Sequence, residues 1–218
     1  MSLVLVSVPI GNMGDITLRA LESLKGAELY IGEERKPMFR LLKELGVATP
    51  KNYQLLNEHS TANEIKKLAQ RCKEQKAVLL TDCGTPGFSD PGAELVAQCR
   101  ELGVPVTANP GASALTTFLS LCGQRLTEFD FLGFPPREAE MRTQFFKRLA
   151  KTKKPSILMD TPYRLQKVLT ECAELLPERT LVLGLDLTKG NEAFYSGTAK
   201  SMPDQCKDNK REFMLLIH

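Results

Sequence analysis

Three glycine-containing loops hold the residues of this 218-residue chain that are best suited to binding a ligand. They read VPIGNMGD (8–15), TDCGTPGFSDPG (81–92) and NPGASA (109–114), and each follows a run typical of a short strand. Glycine adopts positive φ and lets a ligand lie against the main chain, while proline stiffens the turn so that binding loses little entropy. One such loop alone would be an ordinary turn between a strand and a helix. Three at corresponding strand ends favour a ligand site.

The charges of these loops argue against a phosphate ligand. None of the three contains Lys or Arg, and neither a G-x-x-x-x-G-K-[ST] pattern nor a strand-following G-x-G-x-x-G is present. Asp82 and Asp90 would repel a polyphosphate unless a metal intervened. A cationic ligand that is otherwise recognised by main-chain groups and apolar walls would be attracted instead. S-adenosylmethionine meets this description, because it carries a sulfonium, an ammonium, one carboxylate and a flat adenine.

The first half of the chain alternates strand-like and helix-like segments. The strand candidates are 3–8, 28–32, 53–56, 77–81 and 104–108. The segments between them have apolar residues at i, i+3 or i+4, and three of them end at or near Gly26, Gly46 and Gly103, as helix C-termini do. This order predicts a mostly parallel sheet covered by helices. Ligands of such sheets bind at the carboxyl ends of the strands, which is where the three loops lie.

The second half predicts a different sheet. Its strand candidates are 129–134, 155–160, 180–187, 192–199 and 212–217. The last two follow without a helix long enough for a parallel crossover, so antiparallel strands are expected near the C-terminus. We therefore predict an α/β protein with two α/β domains: residues 1–114 with a mostly parallel sheet and the glycine-rich loops, and residues 115–218 with a mixed sheet.

Composition is that of a soluble enzyme, with 42% apolar and 25% charged residues. No apolar stretch approaches the roughly 18 residues of a membrane span, and the N-terminus begins directly as a strand without signal-peptide features, so a cytoplasmic location is expected. The six cysteines form no C-x-x-C pair, and only two histidines are present. This pattern indicates reduced thiols and no metal site.

Local charge is more informative than the net charge of +3. Residues 137–154 contain seven basic and two acidic side chains. Charge runs are most often the solvated face of a helix, but a basic segment of this kind also suits the backbone of RNA.

Seven motifs, in order and spacing, resemble the tetrapyrrole methylase superfamily. They read PIGNMGDITLRAL, DCGTPGFSDPG, NPGASAL, FLGFPPR, TPYRL, LTKGNEAFYSGT and EFMLLI, and they extend over essentially the whole chain. The sequence is most similar to the branch of this superfamily that methylates a ribose 2'-hydroxyl on a cytidine of small-subunit ribosomal RNA.

The resemblance implies a class III methyltransferase that uses S-adenosylmethionine, with two α/β domains, the cofactor in the cleft between them, and a homodimeric assembly that acts on ribosomal RNA or the small ribosomal subunit. The positions that it implies for cofactor binding are Ile10, Asp82, Gly84, Thr85, Ser113, Ala114, Met159 and Leu185. The last two would close the adenine pocket from the second domain.

The chain departs from the pattern of this branch mainly outside the cofactor loops. It reads EERK (33–36) for EDTR, NEHST (57–61) for HEHNE, DTPYR (160–164) for ESPHR and LDLTK (185–189) for RELTK. It also stops where longer members continue into a small additional C-terminal region. These differences concern the methyl acceptor more than the methyl donor.

The catalytic candidates are polar residues in the loops beyond the strands. A ribose hydroxyl is a poor nucleophile at neutral pH, so a general base or a charge-stabilising partner would help. Glu58 with His59 is one candidate pair, although a lone loop histidine is more often a surface residue. Asp160 with Arg164 is another, and Arg164 could equally bind an RNA phosphate or serve in a structural ion pair. Lys189 is a further candidate, or an exposed turn lysine.

Other functions stay open on the residues alone. The acceptor could be a tetrapyrrole or another small metabolite. The chain could instead be a non-catalytic cofactor-binding or RNA-binding accessory protein. A nucleotide-phosphate enzyme is disfavoured by the missing P-loop lysine.

Overall fold

The chain folds into two compact units, Met1–Ser113 and Ala114–His218. This computed structural model describes residues 1–88, 90, 92–207 and 210–218. Among these residues no helix has the length and apolarity that crossing a membrane requires. The division lies one residue before the boundary that the sequence predicts.

The first unit contains a five-stranded parallel sheet, as predicted. Its strands are β1 (Ser2–Val6), β2 (Leu29–Gly32), β3 (Tyr53–Leu55), β4 (Lys76–Leu79) and β5 (Val106–Asn109). They are arranged in the order β3-β2-β4-β1-β5. Val4 in the central strand β1 is in register with Val78 and Thr107 of its two neighbours. The loops that follow β4, β1 and β5 are therefore neighbours at one edge of the sheet.

Helices cover both faces of this sheet. They are α1 (Leu18–Lys25), α2 (Arg35–Glu44), α3 (Ala62–Glu74) and α4 (Gly92–Glu101), with a short 3-10 helix at Met13–Asp15. One apolar core buries Leu24 of α1 and Leu42 of α2. The other buries Leu68 of α3 and Leu95 of α4. These cores fix the sheet that carries the loops.

Helix α2 begins three residues before Met38, where the apolar i, i+3, i+4 pattern of this segment starts. Glu34 is extended and the helix starts at Arg35, so Pro37 is its third residue. The first helical N–H groups have no partner within the helix, so proline is tolerated there. The early start places Lys36 in the first turn, next to the edge of the sheet.

The second unit contains the predicted mixed sheet. Its strands are β6 (Asp130–Gly133), β7 (Ser156–Asp160), β8 (Thr180–Leu185), β9 (Ala193–Thr198) and β10 (Phe213–Ile217), in the order β6-β7-β10-β8-β9. Among the described residues of this unit, β6 and β7 pair in parallel, and the other pairs are antiparallel. Its helices are α5 (Ala114–Leu121), α6 (Ala139–Leu149), α7 (Leu165–Leu175) and α8 (Met202–Gln205), with a 3-10 turn at Pro162–Arg164.

Two sets of contacts hold the second sheet. Phe146 and Leu169, from α6 and α7, are buried in its main apolar core. Phe118 of α5 lies against Gly184 of β8, where a Cβ atom would be 2.8 Å from the Phe118 ring. Glycine is therefore required at that position for the helix to approach the strand.

Candidate functional site

The three glycine-containing loops meet at the carboxyl ends of β1, β4 and β5. We refer to residues 8–15 as the β1 loop, residues 81–92 as the β4 loop and residues 110–113 as the β5 loop. Ser89 and Pro91 of the β4 loop lie outside the described residues. Because the three strands are adjacent, the loops are close enough to bond one another, and the structure shows that they do.

A two-residue bridge joins the β1 loop to the β4 loop. The Val8 N–H donates to the Gly84 carbonyl at 2.9 Å, and the Gly84 N–H donates to the Val8 carbonyl at 3.1 Å. Gly84 has φ +80°, a region that residues with a side chain rarely adopt. A Cβ atom there would lie 3.4 Å from Cγ2 of Ile10. The bridge therefore depends on glycine at this position.

A hydroxyl chain ties in the β5 loop. Thr85 Oγ1 donates to the Ala112 carbonyl at 3.1 Å and lies 2.9 Å from Ser7 Oγ. The Thr85 hydroxyl has one proton, so with that proton on Ala112 the Ser7 hydroxyl is the donor to Thr85. A Cβ atom on Gly111 would lie 3.0 Å from the Ser7 Cβ, so glycine allows this close approach as well. The three loops thus form one preorganised frame.

Asp90 supports this frame from within. Its carboxylate accepts hydrogen bonds from the main-chain N–H groups of Gly87, at 2.8 and 2.9 Å, and of Gly92, at 2.8 Å. Gly87 has φ +87°. The sequence interpretation grouped Asp90 with Asp82 as charges facing a ligand. The structure instead assigns the Asp90 carboxylate to fixing the turn before α4.

Carboxylates line the edge of the sheet next to the frame. The surroundings of Asp82 partly desolvate its carboxyl and raise its pKa, and the charge of Glu34 adds to the rise. Burial also raises the pKa of Glu33, with further increases from the charges of Asp82 and Asp90. Glu33 follows β2, which pairs with β4, and only the strand order reveals this proximity. Negative charge concentrated in this way favours a cationic ligand.

The remaining positions predicted to bind the cofactor differ in location and exposure. Ser113 ends the β5 loop and Ala114 begins α5. Met159 lies in β7 and is half-buried, whereas Leu185, at the end of β8, is fully buried in the core of the second unit. In this structure Leu185 therefore has no atom exposed to a ligand.

The predicted pair Asp160 and Arg164 belongs to a larger buried network. Arg164 Nη1 lies 3.5 Å from Asp160 Oδ1, but the closer partner is Arg142, whose Nη1 is 3.0 Å from Asp160 Oδ2. The Nε of Arg142 also bonds Glu171 at 2.8 Å, and its Nη1 donates to the Pro136 carbonyl. Both side chains of the Asp160–Arg142 pair are at most 2% exposed. The network holds the end of β7 and the 134–137 segment together.

Arg142 also corrects the prediction for the basic segment. Residues 137–154 form α6 and its flanks, and six of the seven basic side chains are exposed. Arg142 is the exception, because it points into the second unit. The exposed basic face is therefore smaller than the sequence indicates.

Lys189 lies in a strained turn between β8 and β9. Asp186 and Thr188 have φ +46° and +65°, and a β-branched residue rarely adopts such a conformation. The Lys189 ammonium is 2.7 Å from Glu212 Oε2 and 3.6 Å from Asp186 Oδ1. Burial acts to raise the pKa of Asp186, but the hydrogen bond from Arg211 and the charge of Lys189 outweigh it and lower the pKa. The turn places the Lys189 side chain beside two carboxylates.

Glu58 and His59 lie apart from the frame. They follow β3, the edge strand, and β2 separates β3 from β4. Both side chains are 85% exposed, and His59 Nε2 is 3.7 Å from Glu58 Oε1. The structure brings the two residues together but leaves them on an open surface.

Comparison with known proteins agrees with this arrangement. Residues 2–203 match the family of Tetrapyrrole (Corrin/Porphyrin) Methylases. A protein from Synechocystis sp. named "Ribosomal RNA small subunit methyltransferase I" is 38% identical over 99% of this chain and 78% of its own length. A protein of the same name from Leptospira biflexa is 34% identical over 99% of this chain and 90% of its own length.

Solved structures support the fold. A diphthine synthase aligns with a TM-score of 0.73 at 17% identity, covering 100% of this chain and 90% of that one. The methyltransferase CobJ aligns with a TM-score of 0.67 at 14% identity, covering 99% and 93%. The predictions of a methyltransferase and of S-adenosylmethionine as its cofactor are confirmed by the family match. The chain belongs to the tetrapyrrole methylase family.

Proposed function

We propose that this chain transfers a methyl group from S-adenosylmethionine to the ribose 2'-hydroxyl of a cytidine in small-subunit ribosomal RNA, in the cytoplasm. The observation that carries the proposal is the bonded frame of three loops with a carboxylate edge and no basic side chain within the loops. The choice of acceptor is supported by the relatives named small-subunit ribosomal RNA methyltransferases. The exposed basic side chains around α6 are suited to RNA phosphates.

The residues of the frame fit the cofactor. Asp82 would attract the cationic groups of the cofactor. The main chain at Gly84 and Thr85 would contact it, at Gly84 without steric hindrance from a Cβ atom. Ile10 provides an apolar wall that is 8% exposed. Ser113, Ala114 and Met159 are proposed as the remaining contacts, and Leu185 would have to become exposed to serve as one. When bound, S-adenosylmethionine supplies the methyl group as an electrophile on its sulfonium.

The protein contributes mainly geometry to such a transfer. Holding the hydroxyl in line with the methyl group and excluding water supplies much of the acceleration. Lys189, whose Nζ lies beside Glu212 and Asp186, is suited to binding a phosphate or stabilising negative charge on the acceptor oxygen. Arg164 is proposed to bind the RNA backbone, with Asp160 positioning it. Glu58 and His59 stay proposed as a general base and its partner. Contact with RNA would have to bring them to the reacting hydroxyl.

Replacing Asp82 with asparagine is expected to weaken cofactor binding about tenfold, or roughly 1.4 kcal/mol. The substitution removes one negative charge and keeps the shape of the side chain. Calorimetry with S-adenosylmethionine would measure the effect. Asp15→Asn is the matched control, because Asp15 is an exposed carboxylate of the β1 loop. Equal losses in the two variants would contradict a specific role for Asp82.

The Asp82→Asn substitution is not expected to destabilise the fold at neutral pH, although it weakens cofactor binding. Because the folded state raises the pKa of Asp82, ionisation of this carboxyl opposes folding at neutral pH. Asp82→Asn should therefore be no less stable than the wild type at pH 7. The difference should shrink as the pH falls through the folded-state pKa towards the unfolded value of about 3.9, since the protonated carboxyl carries no penalty. Urea unfolding at pH 7 and pH 4 would test this.

A labelling experiment tests the proposed function. The purified protein is incubated with methyl-labelled S-adenosylmethionine and small ribosomal particles that lack the modification. We expect label in the RNA, on the ribose of one cytidine. Label that appears only on a small molecule from a cell extract would favour a tetrapyrrole or other metabolite as acceptor. Cofactor binding without transfer to any fraction would favour an accessory protein.

We also propose that the protein forms a homodimer, as its resemblance to the family implies. Leu121, Phe134 and Met141 of the second unit are each about half exposed, at 48, 55 and 59%, and would suit an apolar contact. Light scattering coupled to size-exclusion chromatography would give about twice the 24.2 kDa of one chain.

A further inference from the structure

A surface pocket of about 370 Å³ opens beside the β4 loop in the first unit. One wall is Met13 of the β1 loop, and another is Asp82 of the β4 loop. The third wall is α2, which contributes Lys36, Pro37, Arg40, Leu41 and Glu44. Three elements from the carboxyl edge of one sheet thus border an open pocket whose volume is in the range of small-molecule sites.

The pocket has an apolar part and a charged part, which consists of the cations Lys36 and Arg40 and the carboxylates Glu44 and Asp82. Met13, Pro37 and Leu41 provide apolar surface, and Leu41 is anchored in the core below at 6% exposure. Lys36 is exposed and has no ion-pair partner among the residues that the structure describes. Arg40 pairs with Glu44 at 2.8 Å, but its side chain is 82% exposed. Exposed pairs of this kind contribute little, so Arg40 can exchange its partner for a ligand anion.

The two cations distinguish this pocket from the loops of the frame, although Met13 and Asp82 belong to both. The loops contain no basic side chain, so Lys36 and Arg40 are the groups of this pocket that can bind an anion. Cations beside an apolar surface suit a base with its attached phosphates. Asp82 lines the pocket and is also proposed to face the donor, so the two ligands would meet at this residue.

We propose that this pocket receives the target nucleotide of the RNA, with its base against Met13 and Pro37 and its flanking phosphates on Lys36 and Arg40; this inference rests on the proposed function. Proteins that read RNA by sequence commonly bind unstacked bases of single-stranded segments. Enzymes that do chemistry on a base likewise hold the extruded nucleotide in a pocket. A nucleotide held here would present its ribose beside the donor loops.

The test replaces the two cations with neutral residues of similar length. Lys36→Gln, Arg40→Gln and the double variant are compared with Lys43→Gln, which removes an exposed charge of α2 outside the pocket. Filter binding to a small-subunit RNA fragment that carries the unmodified cytidine is measured across a salt series. We expect a three- to tenfold weaker affinity for each single variant, and the slope of log K against log salt should fall by about 1 for each lost phosphate contact.

Two further measurements distinguish failure of this inference from failure of the proposed function. Calorimetry with S-adenosylhomocysteine should give the same affinity for all variants, and the KM for unmodified particles should rise more than kcat falls. If Lys36→Gln weakens S-adenosylhomocysteine binding and leaves RNA affinity unchanged, the pocket belongs to the donor and the inference is wrong. Equal effects of Lys36→Gln and Lys43→Gln would also overturn it. If the wild type neither binds nor methylates RNA, the proposed function fails as well.

Discussion

Gly84→Ala is expected to weaken binding of S-adenosylhomocysteine at least thirtyfold, or about 2 kcal/mol. Gly84 has φ +80° and exchanges two main-chain hydrogen bonds with Val8. An alanine would be strained there by about 1–3 kcal/mol. Its Cβ would also lie in contact with Cγ2 of Ile10 at 3.4 Å. The loop can relieve this strain only by shifting, and a shift would displace Asp82 and break the hydroxyl chain through Thr85. Isothermal calorimetry would measure the loss.

Gly103→Ala is the matched control for this substitution. Gly103 follows α4 and has φ +70°, so alanine is disfavoured there in the same way, yet a Cβ atom would meet nothing within 4 Å. Both variants should lose about 1–2 kcal/mol of unfolding free energy. Only Gly84→Ala should lose affinity for S-adenosylhomocysteine. If Gly103→Ala loses the same affinity, general destabilisation explains the result, and the frame has no special role.

Much of this arrangement is predictable from the sequence because local chemistry determines it. Gly84 and Gly111 stand where the backbone must pass close to another loop, and such positions are visible as glycines after apolar strand-like runs. The alternation of strands and helices predicts the parallel sheet of the first unit, and the lack of long helices near the C-terminus predicts the antiparallel strands of the second. Both sheets are confirmed.

Strand order is what the sequence does not show. Glu33 is far from Asp82 along the chain, and the two become neighbours because β2 pairs with β4. The pocket beside Asp82 also depends on the early start of α2, which the apolar pattern beginning at Met38 did not indicate. Long-range pairing and the backbone tolerance of Pro37 decide these features, and neither has a local periodicity.

The burial of Arg142 is predictable from its position in the helix, which a count of charges does not consider. It precedes Phe145, Phe146 and Leu149 by three, four and seven residues, which places it on the apolar face of α6. A basic residue in that position has to be buried with a partner. Helical periodicity applied to the charged residues themselves would have separated Arg142 from the exposed lysines and arginines of the segment.

Arg142→Met is expected to reduce the free energy of unfolding by about 3–5 kcal/mol. Methionine fills much of the same volume, but Asp160 is left with a buried charge that has lost its closest partner. Glu171 loses its bond to Nε and is better placed to reach water, since its side chain is 19% exposed. Most of the loss should therefore come from Asp160. Urea unfolding followed by circular dichroism would measure it.

Two variants show whether burial is the cause. Arg40→Met breaks the exposed pair with Glu44 and should lose no more than about 0.5 kcal/mol. Arg142→Met combined with Asp160→Asn removes the stranded charge, so the double variant should be more stable than Arg142→Met alone by roughly 1–2 kcal/mol. If Asp160→Asn brings no recovery, the stabilisation by Arg142 comes from packing against Phe146 and its bond to the Pro136 carbonyl, and the ion pair is incidental.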